Sequence, residues 1–359
     1  MLPRNLRSEA TYAKSLRRAP AQRAGSCEFN VDRRCCVAVA QNRLNPPGGS
    51  TKPSLLGRLL GTHTRFQTHR ALWGYVFALP WILGLIIFWG GPILASFYFS
   101  FTNYEIIGSP KWLGLANYTR AFTQDDLFWP SLWRTFKFTF LYAPATIVGS
   151  ILLASLLNQK LKGTNIYRTI FFMPHLIPAV ALAVVWVFLL QPKLGPVNAI
   201  LRDLGVENPP AWLAARSSAL YSLTMISIWA AVGGNTMLIF LAGLQGVPQE
   251  LYEAADIDGA SSARKFWHVT LPLLSPTVFL NMVLIIIASL KVFNTAWVAT
   301  KGGPSYATWF FALHIYNEAF AYFRLGYGSA LAWVLALILI IFTWIQVVYS
   351  RRWVHYEGG

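Results

Sequence analysis

Four acidic residues stand close together in one short segment of the chain: Glu250, Glu253, Asp256 and Asp258. Carboxylates at this spacing can form ion pairs with arginine or lysine side chains of another protein. They can also be simply solvated, because acidic side chains are favourable near the start of a helix, where the helix dipole is positive. The residues alone leave both interpretations open.

The segment around these acids carries the start and stop signals of a short helix. Pro248 suits the first helical position, where a missing backbone N–H costs nothing, and Glu250 and Glu253 then lie near the positive end of the dipole. Gly259 suits the left-handed residue that ends a helix. These signals predict a helix of about ten residues, roughly 15 Å long.

A second short helix is predicted directly after the first. Ser261 or Ser262 is its N-cap, and it carries Phe266 and Trp267. Together the two helices form an elbow. The first helix offers small and apolar side chains to a partner, namely Leu251, Tyr252, Ala254 and Ala255.

The elements that hold this elbow lie in a membrane. Of the 359 residues, 55% are hydrophobic and 12% are charged, and the mean hydropathy is +0.44. This balance lies far outside that of a soluble globular chain. Apolar segments of about 20 residues recur, each long enough to cross a hydrocarbon core of about 30 Å. They predict an all-α polytopic protein with six transmembrane helices, at residues 71–101, 136–158, 169–190, 218–245, 272–295 and 329–350.

The distribution of Lys and Arg predicts the orientation of these helices. With the N-terminus inside, the segments flanking the spans on the cytoplasmic side hold ten Lys or Arg in 61 residues, and the outer segments hold eight in 94. The bias favours an arrangement with both termini in the cytoplasm. It places the acidic segment in a cytoplasmic loop, residues 246–271.

Residues 1–70 form a separate basic region. The formal charge of the chain is +16, and this segment holds thirteen Lys or Arg against three Asp or Glu. We interpret it as a largely disordered extension before the membrane domain, residues 71–359. A wrongly assigned start codon, an organelle transit peptide and a cytoplasmic arm near anionic lipid stay open. Cys27, Cys35 and Cys36 lie here without a ligand set, so disulfide or zinc interpretations have little support.

The loop also carries a longer spaced pattern. Glu253-Ala254-Ala255 is followed after three residues by Gly259 and, after nine more, by Val269-Thr270-Leu271-Pro272. This pattern resembles the E-A-A signature of permease subunits of binding-protein-dependent ABC importers, with Val269 where isoleucine is usual. Other stretches resemble the carbohydrate-uptake branch of that family, of the maltose and glycerol-phosphate type, and within it the first of two permeases. These stretches are residues 158–178, 239–248 and 300–304.

The resemblance implies a fold, a cargo and an assembly. The fold is a transmembrane domain like that of type I ABC importers, in a bacterial or archaeal inner membrane, and the cargo is a sugar or sugar derivative. The implied partners are a second permease in a heterodimer, two ATP-binding subunits that bind ATP and Mg, an extracytoplasmic solute-binding protein and membrane lipid. This chain itself is expected to bind no cofactor, metal or nucleic acid and to be no enzyme.

In that family the E-A-A loop docks on the ATPase subunit. Carried over to this chain, the coupling residues are Glu250, Leu251, Tyr252, Glu253, Ala254, Ala255, Asp258 and Gly259. They are expected to supply contact and shape rather than catalysis, since small residues permit close docking and acids can pair with basic residues of the partner.

A sugar path through the membrane needs polar groups and aromatic faces, because an unsatisfied polar residue there is expensive. Candidates are Trp229, Gly233, Gly234 and Asn235 in the fourth predicted span and Asn281 and Lys291 in the fifth. The Gly pair and Asn235 fit helix packing equally well. Lys291 is expected to snorkel to the outer interface rather than to bind a ligand.

Other functions fit the sequence less well. There is no G-x-x-x-x-G-K-[ST] loop for ATP and no H-E-x-x-H helix. The predicted spans contain no Asp or Glu of the kind that ion-coupled secondary transporters use. His175, between Pro174 and Pro178, indicates a helix irregularity rather than a proton relay. An ABC permease for a non-carbohydrate solute and, with less support, an ion-coupled transporter stay open.

Overall fold

A computed structural model describes residues 65–106, 108–159 and 163–354. Within these ranges the chain is mostly helical, with one small hairpin. The predictions for residues 1–64, including those on the three cysteines, lie outside the described residues. The chain divides into two compact units, residues 1–82 and 83–359. Of the first unit, the structure describes the beginning of an apolar helix.

The first apolar helix has three parts. α1 (Arg65–Leu85) leads through a π-helical turn (Ile86–Gly90) into α2 (Gly91–Ser100). Its apolar stretch, Leu72–Ser100, is 29 residues long and agrees with the predicted first span. The helix already includes residues 65–70, which we had interpreted as the end of the extension.

A short excursion separates the first helix from the second. It consists of strand β1 (Thr102–Asn103), the antiparallel strand β2 (Lys111–Trp112) and helix α3 (Ala116–Thr123). Helix α4 (Phe128–Leu157) follows and is 30 residues long. It contains the predicted second span but begins eight residues before residue 136.

The third predicted span is wrong as a continuous helix. The structure has two helices here, α5 (Thr164–Leu176) and α6 (Ala179–Leu189), bent by 93° at the break between them. Ile177 at the break is extended, with ψ of 128°, because Pro178 disfavours helical geometry in the residue before it. His175 lies directly before this break, and the predicted helix irregularity is confirmed.

The fourth predicted span is also interrupted. After α7 (Pro196–Asp203), helices α8 (Ala219–Val232) and α9 (Asn235–Gln245) are bent by 42° at Gly233 and Gly234. The predicted span 218–245 covers both helices. Both glycines have negative φ, and glycine is required here because a Cβ at either position would collide with α5.

The elbow and the fifth span follow without a long loop. The elements are α10 (Gln249–Ile257), α11 (Ser262–Lys265), a π-helical turn (Phe266–Thr270), α12 (Leu271–Leu273), α13 (Ser275–Leu290) and α14 (Asn294–Ala299). An apolar stretch of 25 residues, Ser275–Ala299, corresponds to the predicted span 272–295.

The last span closes the chain. α15 (Phe311–Tyr316) and a π-helical turn (Asn317–Ala321) lead into α16 (Leu325–Ser350), which contains the predicted span 329–350. In the described part of the chain, four helices are therefore long and apolar enough to cross a membrane, and there are up to six spans if each bent pair is one.

Helix α4 is at the centre of the packing. It packs against α8, α9 and α13, and α16 packs against α2. At one end of the domain, Phe128 and Leu132 of α4 are buried with Phe311, Tyr327 and neighbouring residues of α15 and α16. At the other end, the last turns of α4 are buried against α9 and the start of α13, close to the elbow. The elbow thus lies at one end of the bundle and the α15 loop at the other.

Candidate coupling elbow and translocation cavity

Helix α10 begins one residue later than predicted. Pro248 is extended (φ −59°, ψ 132°) and is the N-cap, so Gln249 is the first helical residue. The prediction of Pro248 at the first helical position is therefore wrong by one residue. Proline loses no hydrogen bond in either place, because neither position needs a backbone N–H donor. Glu250 lies in the first turn, where the helix dipole favours its charge.

Gly259 ends α10 as predicted. Its φ is +71°, in the left-handed region. The Gly259 N–H donates to the Asp256 carbonyl at 3.0 Å, and the Ala260 N–H donates to the Ala255 carbonyl at 2.9 Å. These are the two hydrogen bonds of a Schellman motif. An added Cβ at Gly259 would meet no atom within 4 Å, so the backbone alone restricts this position.

The second helix of the elbow begins at a serine cap. The Ser261 hydroxyl accepts a hydrogen bond from the Arg264 N–H at 3.4 Å, so the cap is Ser261 and not Ser262. From there the chain stays helical through the π-helical turn and α12 to Leu273. The elbow is therefore two helices joined by the turn at Gly259.

Two side-chain contacts fix the angle between these helices. The hydroxyl oxygens of Tyr252 and Thr270 are 2.9 Å apart, and Lys265 Nζ lies 2.6 Å from Asp256 Oδ1. Thr270 is buried, whereas the Asp256 side chain is 59% exposed. The exposed ion pair contributes less than about 1 kcal/mol, so the hydroxyl pair is the stronger tie. The two contacts join the two helices of the elbow.

One face of α10 is open to a partner. Positions 250, 253, 254, 257 and 258 recur at helical spacing and share a face. We call this the coupling face, and its five exposed residues are Glu250, Glu253, Ala254, Ile257 and Asp258. Ile257 is 88% exposed and is the last residue of α10, with Glu253 one turn before it and Asp258 directly after it. A large apolar side chain near acids is suited to a partner that has an apolar pocket with a basic rim.

The other predicted coupling residues lie beside this face. Leu251 is exposed next to it, Ala255 is half-buried, and Gly259 occupies the turn. Tyr252 is directed to Thr270 and therefore holds the elbow together. Ile257 was missed by the sequence analysis, although its position four residues after Glu253 would have placed it on the same face.

A buried apolar cluster connects the elbow to the spans. It contains Leu157 of α4, Leu244 of α9 and Leu274 between α12 and α13, and Phe266 of the elbow packs against it. At Gly243, an added Cβ would lie 2.7 Å from Leu274 Cδ1 and 2.9 Å from Thr277 Oγ1, so α9 and α13 approach closely. Phe266 of the elbow therefore packs next to a close contact between these two helices.

A large cavity among the described residues lies between the spans. Its volume is about 640 Å³, within the usual range for small-molecule sites. Walls come from α4, the break between α5 and α6, both halves of the bent pair α8 and α9, and α13 with the residues after it. It extends from the two breaks toward the end of α13 that is remote from the elbow.

Three of the predicted path residues line this cavity: Asn235, Asn281 and Lys291. Asn235 is the first residue of α9, directly after the break. Asn281 is buried and its Nδ2 donates to the Thr277 carbonyl at 3.2 Å. Lys291 follows the end of α13 and is exposed, and it lies at the remote end of the cavity.

The glycine pair has a packing role. An added Cβ at Gly233 would lie 1.9 Å from the Phe171 carbonyl oxygen, and one at Gly234 would lie 2.5 Å from His175 Nδ1. The break in the fourth span is therefore packed tightly against α5. The glycines thus pack against α5, and Asn235 lines the cavity; a role for either in the substrate path stays a prediction.

Trp229 does not line this cavity. It lines a smaller apolar cavity of about 270 Å³ together with Trp186, and the two ring centroids are 5.4 Å apart. Several polar lining residues were missed by the sequence analysis: Tyr142, Ser227, Thr236, Ser289, Asn294 and Thr295. They come from five separate elements, and no local pattern in the sequence brings them together.

Comparison with known proteins gives the family. The family described as "Binding-protein-dependent transport system inner membrane component" matches residues 145–355. The probable ABC transporter permease protein YesP of Bacillus subtilis is 39% identical over 288 residues, 79% of this chain and 92% of that protein. The arabinooligosaccharides transport system permease protein AraP of the same species is 32% identical over 279 residues, 77% of this chain and 88% of that protein.

A solved structure shows the same fold. One chain of a bacterial ABC transporter involved in the import of the acidic polysaccharide alginate superposes with a TM-score of 0.72, over 80% of this chain and 97% of that chain, at 23% identity. The resemblance derived from the E-A-A pattern is confirmed, and so is a fold like that of type I importer permeases. The chain belongs to the family of inner membrane components of binding-protein-dependent transport systems.

Proposed function

We propose that this chain is the first of two non-identical permease subunits of an ATP-driven importer for a sugar or sugar derivative. It crosses a bacterial or archaeal inner membrane six times, with both termini and the elbow in the cytoplasm. A solute-binding protein delivers the cargo from outside, and two ATP-binding subunits hold ATP and Mg. This chain supplies half of the path and binds no cofactor itself.

The observation that carries the proposal is the exposed coupling face on an elbow whose two helices are joined by side-chain contacts. An exposed isoleucine between small and acidic residues is suited to a groove on another protein, where the apolar side chain is buried and the carboxylates pair with Arg or Lys. The tie between Tyr252 and Thr270 keeps the face in place relative to the spans. Such bracing is what a force-transmitting contact requires.

The coupling mechanism follows from the packing of the elbow. When two ATPase subunits close around ATP, the docked elbows move with them as rigid bodies. The cluster around Leu244 and Leu274 passes the displacement to α4, α9 and α13. These helices are walls of the cavity, so its opening changes from one side of the membrane to the other.

A carbohydrate cargo is supported by the cavity and by the relatives. Asn235, Asn281 and several hydroxyl side chains line it, and such groups hydrogen-bond well to sugar hydroxyls. Trp186 and Trp229 border the neighbouring apolar cavity and offer aromatic faces. AraP is named for arabinooligosaccharides, and the structural neighbour for alginate. These names span neutral and acidic carbohydrates.

The ion-coupled alternative has no support from the spans. The candidate spans in the described part of the chain contain no Asp or Glu, and such transporters use carboxylates near mid-membrane. A transporter that needs no ATPase subunit would not need an exposed helix for docking. A non-carbohydrate ABC cargo would use the same elbow and differ only in the cavity.

The turn at Gly259 provides the test of coupling. Gly259→Val places a β-branched residue at positive φ and distorts the Schellman turn, whereas Gly259→Asn keeps a residue that tolerates this conformation. Neither side chain collides with a neighbour, because nothing lies within 4 Å of the added Cβ. The complete importer is reconstituted in nanodiscs, and ATP hydrolysis is measured with and without loaded binding protein.

We expect Gly259→Val to abolish the stimulation of ATP hydrolysis by the binding protein and Gly259→Asn to retain most of it. Thermal unfolding of both variants shows whether the membrane domain is intact. Full stimulation in Gly259→Val, with an intact complex, would contradict the coupling role of the elbow. Transport without any ATPase subunit would contradict the whole proposal.

A further inference from the structure

Among the described residues, the cavity lining carries one charged side chain, and its charge is positive. Lys291 is the only Lys, Arg, Asp or Glu among the described residues that line it. The remaining polar groups are amides, hydroxyls and His175. A lysine after the last turn of α13 interacts favourably with the helix dipole, but that interaction leaves most of its charge uncompensated.

Lys291 has no acidic partner in the described ranges. The ion pairs found there join Lys265 to Asp256, His314 to Asp125 and Arg324 to Glu318. Within the cavity, then, the positive charge faces only neutral groups. Low-dielectric walls around such a charge focus its field into the cavity.

A second cation lies one turn farther along the same wall. Arg134, Phe138 and Tyr142 are spaced four residues apart on α4 and share one face. Phe138 and Tyr142 line the cavity, so Arg134 stands just beyond its remote end. Both Arg134 and Lys291 therefore belong to the end that faces away from the elbow.

Arg134 is itself incompletely satisfied. Its Nη1 is buried and has no hydrogen-bond partner among the described residues. A buried guanidinium nitrogen without an acceptor costs free energy, and an anion that accepted a hydrogen bond from it would recover that free energy.

We infer that the cavity takes an anionic saccharide, one that carries a carboxylate or phosphate group. Its charge passes Arg134 at the remote entrance and is held by Lys291, while its hydroxyl groups bond to Asn235 and Asn281. This inference rests on the proposed function, because it assigns a charge to the proposed sugar. The absence of carboxylates from the described cavity lining is what a path for anions needs, since a fixed negative charge would repel the cargo.

The test is a competition between cargoes. The complete importer and its binding protein are reconstituted in proteoliposomes with ATP available to the ATPase subunits. They receive a digest of plant and algal polysaccharides that contains neutral and uronic oligosaccharides, with glycerol 3-phosphate added. Mass spectrometry identifies what enters. We expect uronic or phosphorylated solutes to enter and neutral ones of equal length to stay outside.

Variants then separate charge from structure. Lys291→Gln is expected to lower anion uptake about tenfold at low cargo concentration, the scale on which a focused charge changes local anion concentration. Lys291→Arg restores the charge and should restore most uptake. Lys193→Gln removes an exposed lysine that does not line the cavity and should have no effect. Thermal unfolding confirms that each variant is folded.

The outcomes distinguish the two proposals. Uptake of neutral sugars, with no effect of Lys291→Gln, would overturn the anionic cargo and leave the sugar importer standing. Uptake of none of the solutes would contradict the sugar importer and, with it, the anionic cargo. Equal loss in Lys291→Gln and Lys291→Arg would show that the shape of the lysine, and not its charge, matters, and would also overturn the inference.

Discussion

Asp125 accepts a hydrogen bond from His314 Nε2 at 2.8 Å, although the two residues are 189 positions apart. The Tyr327 hydroxyl donates to the same carboxylate oxygen, and the Leu127 N–H donates to the other at 2.9 Å. The Trp309 indole N–H donates to His314 Nδ1 at 3.3 Å, which leaves the imidazole proton on Nε2. One carboxylate thus joins the start of α4, α15 and α16 at the end remote from the elbow.

Replacing this carboxylate should destabilise the domain. Asp125→Asn keeps the shape, but its amide group brings a donor to a position that already faces the donors of His314 and Tyr327. Because hydrogen bonds to a charged group are worth up to about 3 kcal/mol, we expect the free energy of unfolding to fall by about 3 kcal/mol. Thermal unfolding in nanodiscs measures the change, and the exposed neighbour Asp126→Asn is the control. Equal effects of the two variants would show that the network contributes nothing.

The same carboxylate predicts a loss of stability in acid. Burial raises the pKa of Asp125, but the hydrogen bonds from His314 and Tyr327 outweigh it and hold the pKa well below the ordinary value of 3.8. A group whose pKa is lower in the folded state stabilises the fold above its unfolded pKa and loses that contribution as the pH falls through the folded pKa. The difference in stability between the wild type and Asp125→Asn should therefore be full near neutral pH and shrink below about pH 4. Unfolding curves at a series of pH values give this difference, and a constant difference down to the lowest pH would contradict the assignment.

Ile257 should matter for docking and not for folding. Its side chain is 88% exposed in this chain, so Ile257→Ser should change the free energy of unfolding by less than about 0.5 kcal/mol. If the ATPase groove buries it, affinity should fall by about 2 kcal/mol, or roughly 30-fold. Interferometry with the permease pair in nanodiscs and the isolated ATPase subunit measures this affinity. Ile200→Ser, on α7 and 60% exposed at the remote end, is the matched control, and equal affinities would remove Ile257 from the interface.

Gly233→Ala should disturb the packing of the two broken spans. The new methyl group would lie 1.9 Å from the Phe171 carbonyl oxygen, so α5 and α8 must separate, at a cost of about 2 to 3 kcal/mol. Gly84→Ala, where nothing lies within 4 Å, should leave stability unchanged or raise it. Thermal unfolding compares the two variants, and an unchanged midpoint for Gly233→Ala would mean that the break is not tightly packed.

Asn235→Ala, close to Gly233 in the chain, should lower transport without lowering stability. The Asn235 side chain lines the cavity, and removing it leaves the glycine break as it is. We expect a stability change of less than about 0.5 kcal/mol and a clear fall in the transport rate at low cargo concentration. Transport assays in proteoliposomes check this, and a normal rate would place the cargo elsewhere.

Local sequence signals predicted the structure correctly where the backbone conformation depends on residues nearby in the chain. Gly259 was identified as the helix end, and the next helix start was narrowed to Ser261 or Ser262, because these conformations depend on neighbours a few residues away. The positions of Asn235 and Lys291 at one cavity depend on how several helices distant in sequence pack together, and no spacing along the chain encodes that. The bond between Asp125 and His314 lies even further from local prediction, since it joins segments 189 positions apart.

The third span shows a different limit. Hydropathy over residues 169–190 is that of an ordinary transmembrane helix. An average of hydropathy along the chain does not report where the helix axis bends. Pro174 and Pro178 indicated an irregularity, but the 93° bend between α5 and α6 arises from proline geometry together with the packing of Phe171 and His175 against the break in the fourth span.

The break between α5 and α6 and the break between α8 and α9 meet at the cavity. Helix ends leave backbone carbonyls and N–H groups without intrahelical partners, and lipid cannot satisfy them. The break between α5 and α6 and the break at Gly233 and Gly234 both border the cavity, through Ile177 and Asn235. We expect water to hydrate these groups and therefore to fill the cavity before any cargo arrives. A sugar that enters would then replace this water with its own hydroxyl groups and would not cross a dry barrier.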